Sequence, residues 1–262
     1  MEDVISAPLF AGGLFLGMLV CLEIGRRIGL WRMQHVPKGA EASQAGLGVV
    51  EGAFFGLFSL LVAFSFSGAA GRFDERRALV VEEANHIGTA YLRLDVLAPE
   101  AQPALRDLFR RYTESRLETY RKLPDLDAAL KELARSVALQ NRIWSQAVAA
   151  SRAEGSHPSS AMLVLPALNQ MIDITTTRTM AARTHPPKII YRLLFGMGLL
   201  CAAIAGHGMA AASSRAWAHI VGFALIMSIS IFVILDIEYP RLGFIRVDAH
   251  DQVLVEVLES MR

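Results

Sequence analysis

Glu83 and His86 stand three residues apart, a Glu-x-x-His step that is half of the pattern used by di-iron helix bundles. Such a centre needs a second helical copy and two further glutamates, and the one other Glu-x-x-His step, Glu154–His157, falls in the loop stretch Glu154–Ser160. The expected role is a polar cluster between packed helices, with no metal. The seven histidines are scattered, with no pair at ligand spacing. Cys21 and Cys201 both fall in apolar blocks and read as small buried hydrophobes. There is no Gly-x-Ser-x-Gly, no phosphate-binding loop and no Cys-x-x-Cys. Asp236 and Glu238 close the last apolar block, where acids are more often structural than catalytic. No catalytic residue and no cofactor is expected, and the chain does not read as an enzyme.

Another spacing points to permeation. Gly52, Gly56, Ser59, Ala63, Ser67 and Ala70 recur at steps of three or four inside the uncharged stretch Gly52–Gly71, which places them along one helical face. Small faces let membrane helices approach closely, and they can equally line a narrow water-filled path where several copies converge. Phe54, Phe55, Phe58, Phe64, Phe66 and Phe73 crowd the other positions, as packing or lipid-facing rings or as a hydrophobic constriction. Arg72, Arg76 and Arg77 follow at the membrane edge, with Asp74 and Glu75 offsetting part of their field.

The elements that carry these residues are helices. The chain has 262 residues, 53% hydrophobic and only 19% charged, with mean hydropathy +0.37, too apolar for an ordinary soluble domain. A net charge of +1 gives no case for nucleic acid as a partner. The apolar surplus forms four spans, at about 4–22, 47–71, 189–212 and 217–235. Residues 1–71 therefore hold a first transmembrane pair, 72–188 a helical module, 189–238 a second hairpin and 239–262 a tail. Residues 29–46 read as a loop, and Ser213–Ala216 as a tight connector.

Helical periodicity continues without proline from Leu47 to Leu97, which predicts one helix half in lipid and half in water. Its aqueous stripe is Leu79, Val80, Glu83, Ile87, Ala90, Leu94 and Leu97: apolar, with one acid in it. The module adds three more helices. The first buries Leu105, Leu108, Phe109, Tyr112, Leu117 and Tyr120. The second is capped by Asp125, with the stripe Ala129, Leu130, Leu133, Val137, Trp144, Ala147 and Val148. The third runs from Ala161 to about Arg183. No segment alternates with period two, so the fold class is all-α. Nine basic residues near the membrane on the module's side, against five on the other, favour a cytoplasmic module.

Several of these residues also form a recognisable series. Arg72-x-Asp74-x-Arg76-Arg77 is followed by Glu82-Glu83-Ala84-Asn85-x-Ile87-Gly88-Thr89-Ala90-Tyr91-x-Arg93. Later come Asn169-x-x-Ile172-Asp173 and Asp236-x-Glu238-x-Pro240-x-x-Gly243. The series, spanning about 46 to 258, resembles a bacterial membrane family of unassigned function described as bestrophin-like. The resemblance implies four spans, a helical cytosolic module between the second and third, and a pentameric anion channel whose second span lines the pore with a hydrophobic neck. It makes Phe55, Phe58, Ser59, Ala63 and Phe66 candidate pore-lining residues, and Glu83, Asn85, Arg93, Asp236 and Glu238 a motif polar cluster. Asp236 and Glu238 are too few for the acidic cluster that gates animal bestrophins with calcium, so calcium gating is not expected.

The expected function is a homo-oligomeric channel for small anions in the bacterial inner membrane, with Arg72, Arg76 and Arg77 at its cytoplasmic mouth. Its partners would be the bilayer, small ions and further copies of itself. The alternative is a non-conducting scaffold or signalling module whose small-residue stripe only packs and whose helical domain docks a partner.

Overall fold

The computed structural model describes residues 7–35, 44–211 and 217–262. Eight α-helices occur among them: α1 (Ala7–His35), α2 (Gln44–Leu92), α3 (Gln102–Arg121), α4 (Leu126–Ser151), α5 (Ser159–Arg183), α6 (Lys188–Gly208), α7 (Trp217–Glu238) and α8 (Gln252–Ser260). No strand occurs among the described residues. The expected loop at 29–46 is shorter than read, because α1 runs on to His35 and α2 already begins at Gln44. The start of the first span, Pro37, Lys38 and the connector Ser213–Ala216 lie outside the described residues.

α2 is 49 residues long and unbroken through residues 69–77. At 1.5 Å per residue it measures about 74 Å, more than twice a bilayer's hydrocarbon core. It ends in a 3-10 turn, Arg93–Val96, close to the expected limit at Leu97.

The chain divides into two compact units. One comprises residues 1–71 and 185–239, the other 72–184 and 240–262. In the first, α1 packs against α6 and α7 around Leu14, Met18, Phe58, Leu194, Cys201 and Ala224. Its closest approach is between α1 and α6. A Cβ on Gly25 would lie 1.9 Å from the carbonyl oxygen of Ala203, and one on Gly206 would lie 2.0 Å from that of Leu22. Neither position has room for a methyl group, so glycine lets two membrane helices touch backbone to backbone. Gly12 and Gly13 have nothing within 4 Å.

In the second unit, the C-terminal half of α2 shares one core with α3, α4, α5 and α8. The core includes Val80, Ile87, Leu94, Phe109, Tyr112, Ile143, Leu168, Met171 and Leu254. Every residue of the expected α2 stripe is buried, Glu83 included. Asp125 caps α4, its side chain accepting from the Ala128 amide at 3.0 Å.

The buried face of α4 differs from expectation. Leu130 and Val137 are exposed, whereas Glu132, Ser136 and Gln140 point inward. The inward polar groups are satisfied, which removes the penalty for burying them. Glu132 accepts from Ser115 and pairs with Lys122 and Arg135, and Gln140 donates to the hydroxyls of Tyr112 and Thr175. The Lys122 ammonium, followed by the opposing cost of burial, sets the Glu132 carboxyl below its usual range.

Candidate functional site

α2 presents two different faces within the first unit. One is packed: Phe58 is 1% exposed beside Gly198 and Leu14, and Ala69 is buried about three turns further on. Phe55 is half-buried, edge-on to Phe223 at 6.3 Å. The other face carries the small residues. Gly52, Gly56, Ser59, Ala63 and Ser67 are all exposed, and a Cβ at Gly52 or Gly56 would meet nothing within 4 Å. Phe66, also exposed, borders that face. Of the five residues taken as lining, Ser59, Ala63 and Phe66 therefore lie on the bare side and Phe55 at its margin. Phe58 lies instead in the core of the first unit, on the packed side of the helix. In its most apolar stretch only 6% of α2 is buried, against 22% for α1 and 33% for α7.

The arginines at 72–77 are not three equivalent free cations. Arg76 is buried and works as a helix cap: its Nε donates to the Ala181 carbonyl at 3.1 Å and its Nη2 to that of Thr184 at 2.9 Å. Those carbonyls belong to the end of α5, where oxygens lack helical donors and the dipole is negative. Arg77 donates through Nε to His250 Nε2 at 2.9 Å and through Nη1 to Asp74 at 3.1 Å. Arg72 is half-buried. Arg76→Gln is expected to free the last turn of α5, so that its amides exchange with solvent about tenfold faster, as judged by hydrogen exchange on the full chain.

Below this level the second unit holds a buried ionic cluster. Glu83 is fully buried and chelated by two arginines. Arg116 Nε lies 2.5 Å from its Oε1 and Nη2 3.3 Å from its Oε2, while Arg178 Nη1 bonds Oε2. Arg116 Nη2 also donates to the Tyr120 hydroxyl at 2.8 Å. The Tyr120 ring lies against Arg178 at 4.3 Å and Arg241 at 4.4 Å, so one aromatic face system serves several guanidinium groups. Burial alone would raise the Glu83 pKa, but the two arginines outweigh it and hold the carboxyl at about 2. Burial likewise pushes the Tyr112 phenol upward.

Arg116 and Arg178 were missed from sequence. The available signal was an arginine standing between Tyr112 and Tyr120 on the buried stripe of α3, matching the lone acid on the stripe of α2. Of the motif residues in the same unit, Asn85 and Arg93 do not join this cluster. Asn85 is exposed, and Arg93 donates to the Leu163 carbonyl at 2.8 Å. Asp236 and Glu238 belong to the first unit, buried at the end of α7, where His185 Nδ1 lies 3.4 Å from Glu238 and its ring stacks on Tyr239. Among the described residues no three His, Cys, Asp or Glu side chains group as a metal site.

Four segments among the described residues are long and apolar enough to cross a membrane: α1, α2, the stretch Ser159–Gly208 that contains α6, and α7. Residues 21–251 match the Bestrophin-like domain family. The chain belongs to the bestrophin-like family. This bestrophin-like chain also shares its fold with a crystallised point mutant of a bacterial bestrophin homologue from Klebsiella pneumoniae. The TM-score is 0.61 at 15% sequence identity, over 95% of this chain and 97% of that one. No curated protein matches it. Family and apolar helices together make it an all-α integral membrane protein.

Proposed function

We propose that this bestrophin-like protein is a homo-oligomeric channel for small anions, with α2 of each copy around the axis and the helical unit on the cytoplasmic side of a bacterial inner membrane. The observation that carries the reading is the bare small-residue face of α2. A protomer that buries the face bearing Phe58 and leaves Ser59, Ala63 and Ser67 uncovered is suited to surround an axis with a surface that is narrow but unobstructed. Phe66 would supply the hydrophobic constriction, with Phe55 at its edge. Five copies would fit the pentamer that the resemblance to bestrophins implies.

The experiment is chloride or nitrate efflux from liposomes holding the purified full chain. Flux above empty liposomes is expected. Ala63→Trp, which places an indole on the bare face, is expected to reduce it at least tenfold, on the order of one full barrier increment of 1.4 kcal/mol. Leu57→Trp is the control: Leu57 is exposed on another side of the helix, and its replacement is expected to leave flux unchanged. An oligomer that carries no current, or equal effects of the two tryptophans, would favour a scaffold whose small residues serve only packing.

A further inference from the structure

The first unit contains a cleft of about 260 Å³ that the channel reading does not use. Its mouth is charged, with Glu23, Arg26 and Arg27 from α1; its walls include Met209, Trp217 and Ile220. All six lie where α1 leaves its apolar stretch and α7 begins, which is the level of lipid headgroups for helices that cross a bilayer.

The charges at the mouth do not cancel. Arg27 Nε donates to Glu23 Oε1 at 3.0 Å and Arg26 Nε to Oε2 at 3.4 Å, so two guanidinium groups share one carboxylate. Both contacts run through Nε, and no Nη of either arginine bonds another described residue. Two forks thus share one acid, with their terminal donors unspent and one positive charge in excess. The planar fork of arginine matches a phosphate group, and the first turn of α7 beside it adds the positive end of a helix dipole. The rest of the lining is apolar or aromatic. The cleft has room for a headgroup but not for acyl chains, whose natural course is along the exposed apolar side chains Val20 and Ile24 of α1.

We infer that this cleft binds the phosphate of an anionic membrane lipid through Arg26 and Arg27, with the Glu23 carboxylate opposing part of their charge. A free phosphate ester offers the same anion without the chains, so the test must separate the two sources. The inference rests on membrane insertion alone and needs no conduction, so its failure would leave the channel reading untouched.

The test is native mass spectrometry of the full-length protein with phosphatidylglycerol, with phosphatidylcholine, and with glycerol 3-phosphate added in solution as competitor. Wild type is expected to retain phosphatidylglycerol in preference to phosphatidylcholine. The pair R26Q and R27Q is expected to reduce retention of the anionic lipid about tenfold while leaving the zwitterionic lipid unchanged. The pair R26K and R27K should keep most of the preference. Glu23→Gln should strengthen it, because it removes the opposing charge; a purely structural Glu23 would give the reverse. Undiminished retention in the glutamine pair, weaker retention in Glu23→Gln, or equal displacement by millimolar glycerol 3-phosphate would each overturn the inference. If the glutamine pair does not fold, the sign of the Glu23→Gln effect decides.

Discussion

Glu83→Gln is expected to lower the melting temperature of the helical unit by about 10 °C or more, the largest loss from any single side chain in that unit. Glutamine keeps the shape but removes the one anion facing Arg116 and Arg178, both almost wholly buried. Removing one partner of a buried ion pair costs about 3–5 kcal/mol, since the remaining charge stays desolvated and uncompensated. Here two cations would also be left facing each other.

A second substitution identifies the cause. Glu83→Gln combined with Arg116→Met is expected to recover part of the loss, because one stranded guanidinium goes with it. If the double variant is worse than the single by the full cost of Arg116→Met, the ionic account fails. The same carboxylate sets a pH dependence. Its folded pKa of about 2 lies below its ordinary value of 4.5, so its stabilisation is complete above about pH 5 and is lost as pH falls toward 2. The depression corresponds to about 3 kcal/mol. Thermal melts of the full chain in detergent should therefore fall more steeply with acid for wild type than for Glu83→Gln.

Gly206→Ala should be comparably damaging in the membrane unit, although alanine is the better helix former. Helix propensity alone favours the change by about 1 kcal/mol. Against that stands a methyl placed 2.0 Å from the Leu22 carbonyl oxygen, a backbone atom that cannot rotate aside. α1 and α6 would have to separate by more than an ångström, loosening their whole contact, and overpacking of this kind costs about 1–3 kcal/mol and at times more. Gly12→Ala has nothing within 4 Å to meet and should be neutral or slightly stabilising. The readout is the fraction of monodisperse protein after mild heating in detergent. Equal behaviour of the two variants would mean that α1 and α6 do not approach as described.

These two sites differ in how far the sequence exposes them. Glu83 stood out as a lone acid on an otherwise apolar stripe, and Arg116 fell on the buried stripe of α3 between two tyrosines. Pairing them requires knowing that α3 lies against α2, which periodicity does not supply. Gly25 and Gly206 were invisible for a different reason. Twenty glycines are spread through the chain, and lipid tolerates them anywhere in a span, so spacing cannot tell which ones meet a neighbouring backbone. The small residues of α2 formed the more regular pattern, yet they are exposed and touch no core. Leu130 and Val137 were misassigned because Glu132 and Gln140 look like solvent-facing residues until their partners on α3 and α5 are known. The four spans and the length of α2 were readable because continuous apolar runs and an absence of proline need no tertiary information.

The unbroken course of α2 also constrains how this chain can vary in length. Each residue advances a helix by about 100° of rotation, so one inserted between Val80 and Glu83 would turn Val80 by that angle against Ile87 and Ala90, which share its core. A loop absorbs such an insertion by bulging, but a continuous helix has no slack. The number of residues from Val80 to Ala90 is therefore fixed as tightly as their identities, and single-residue indels in this stretch should be tolerated less well than most point substitutions.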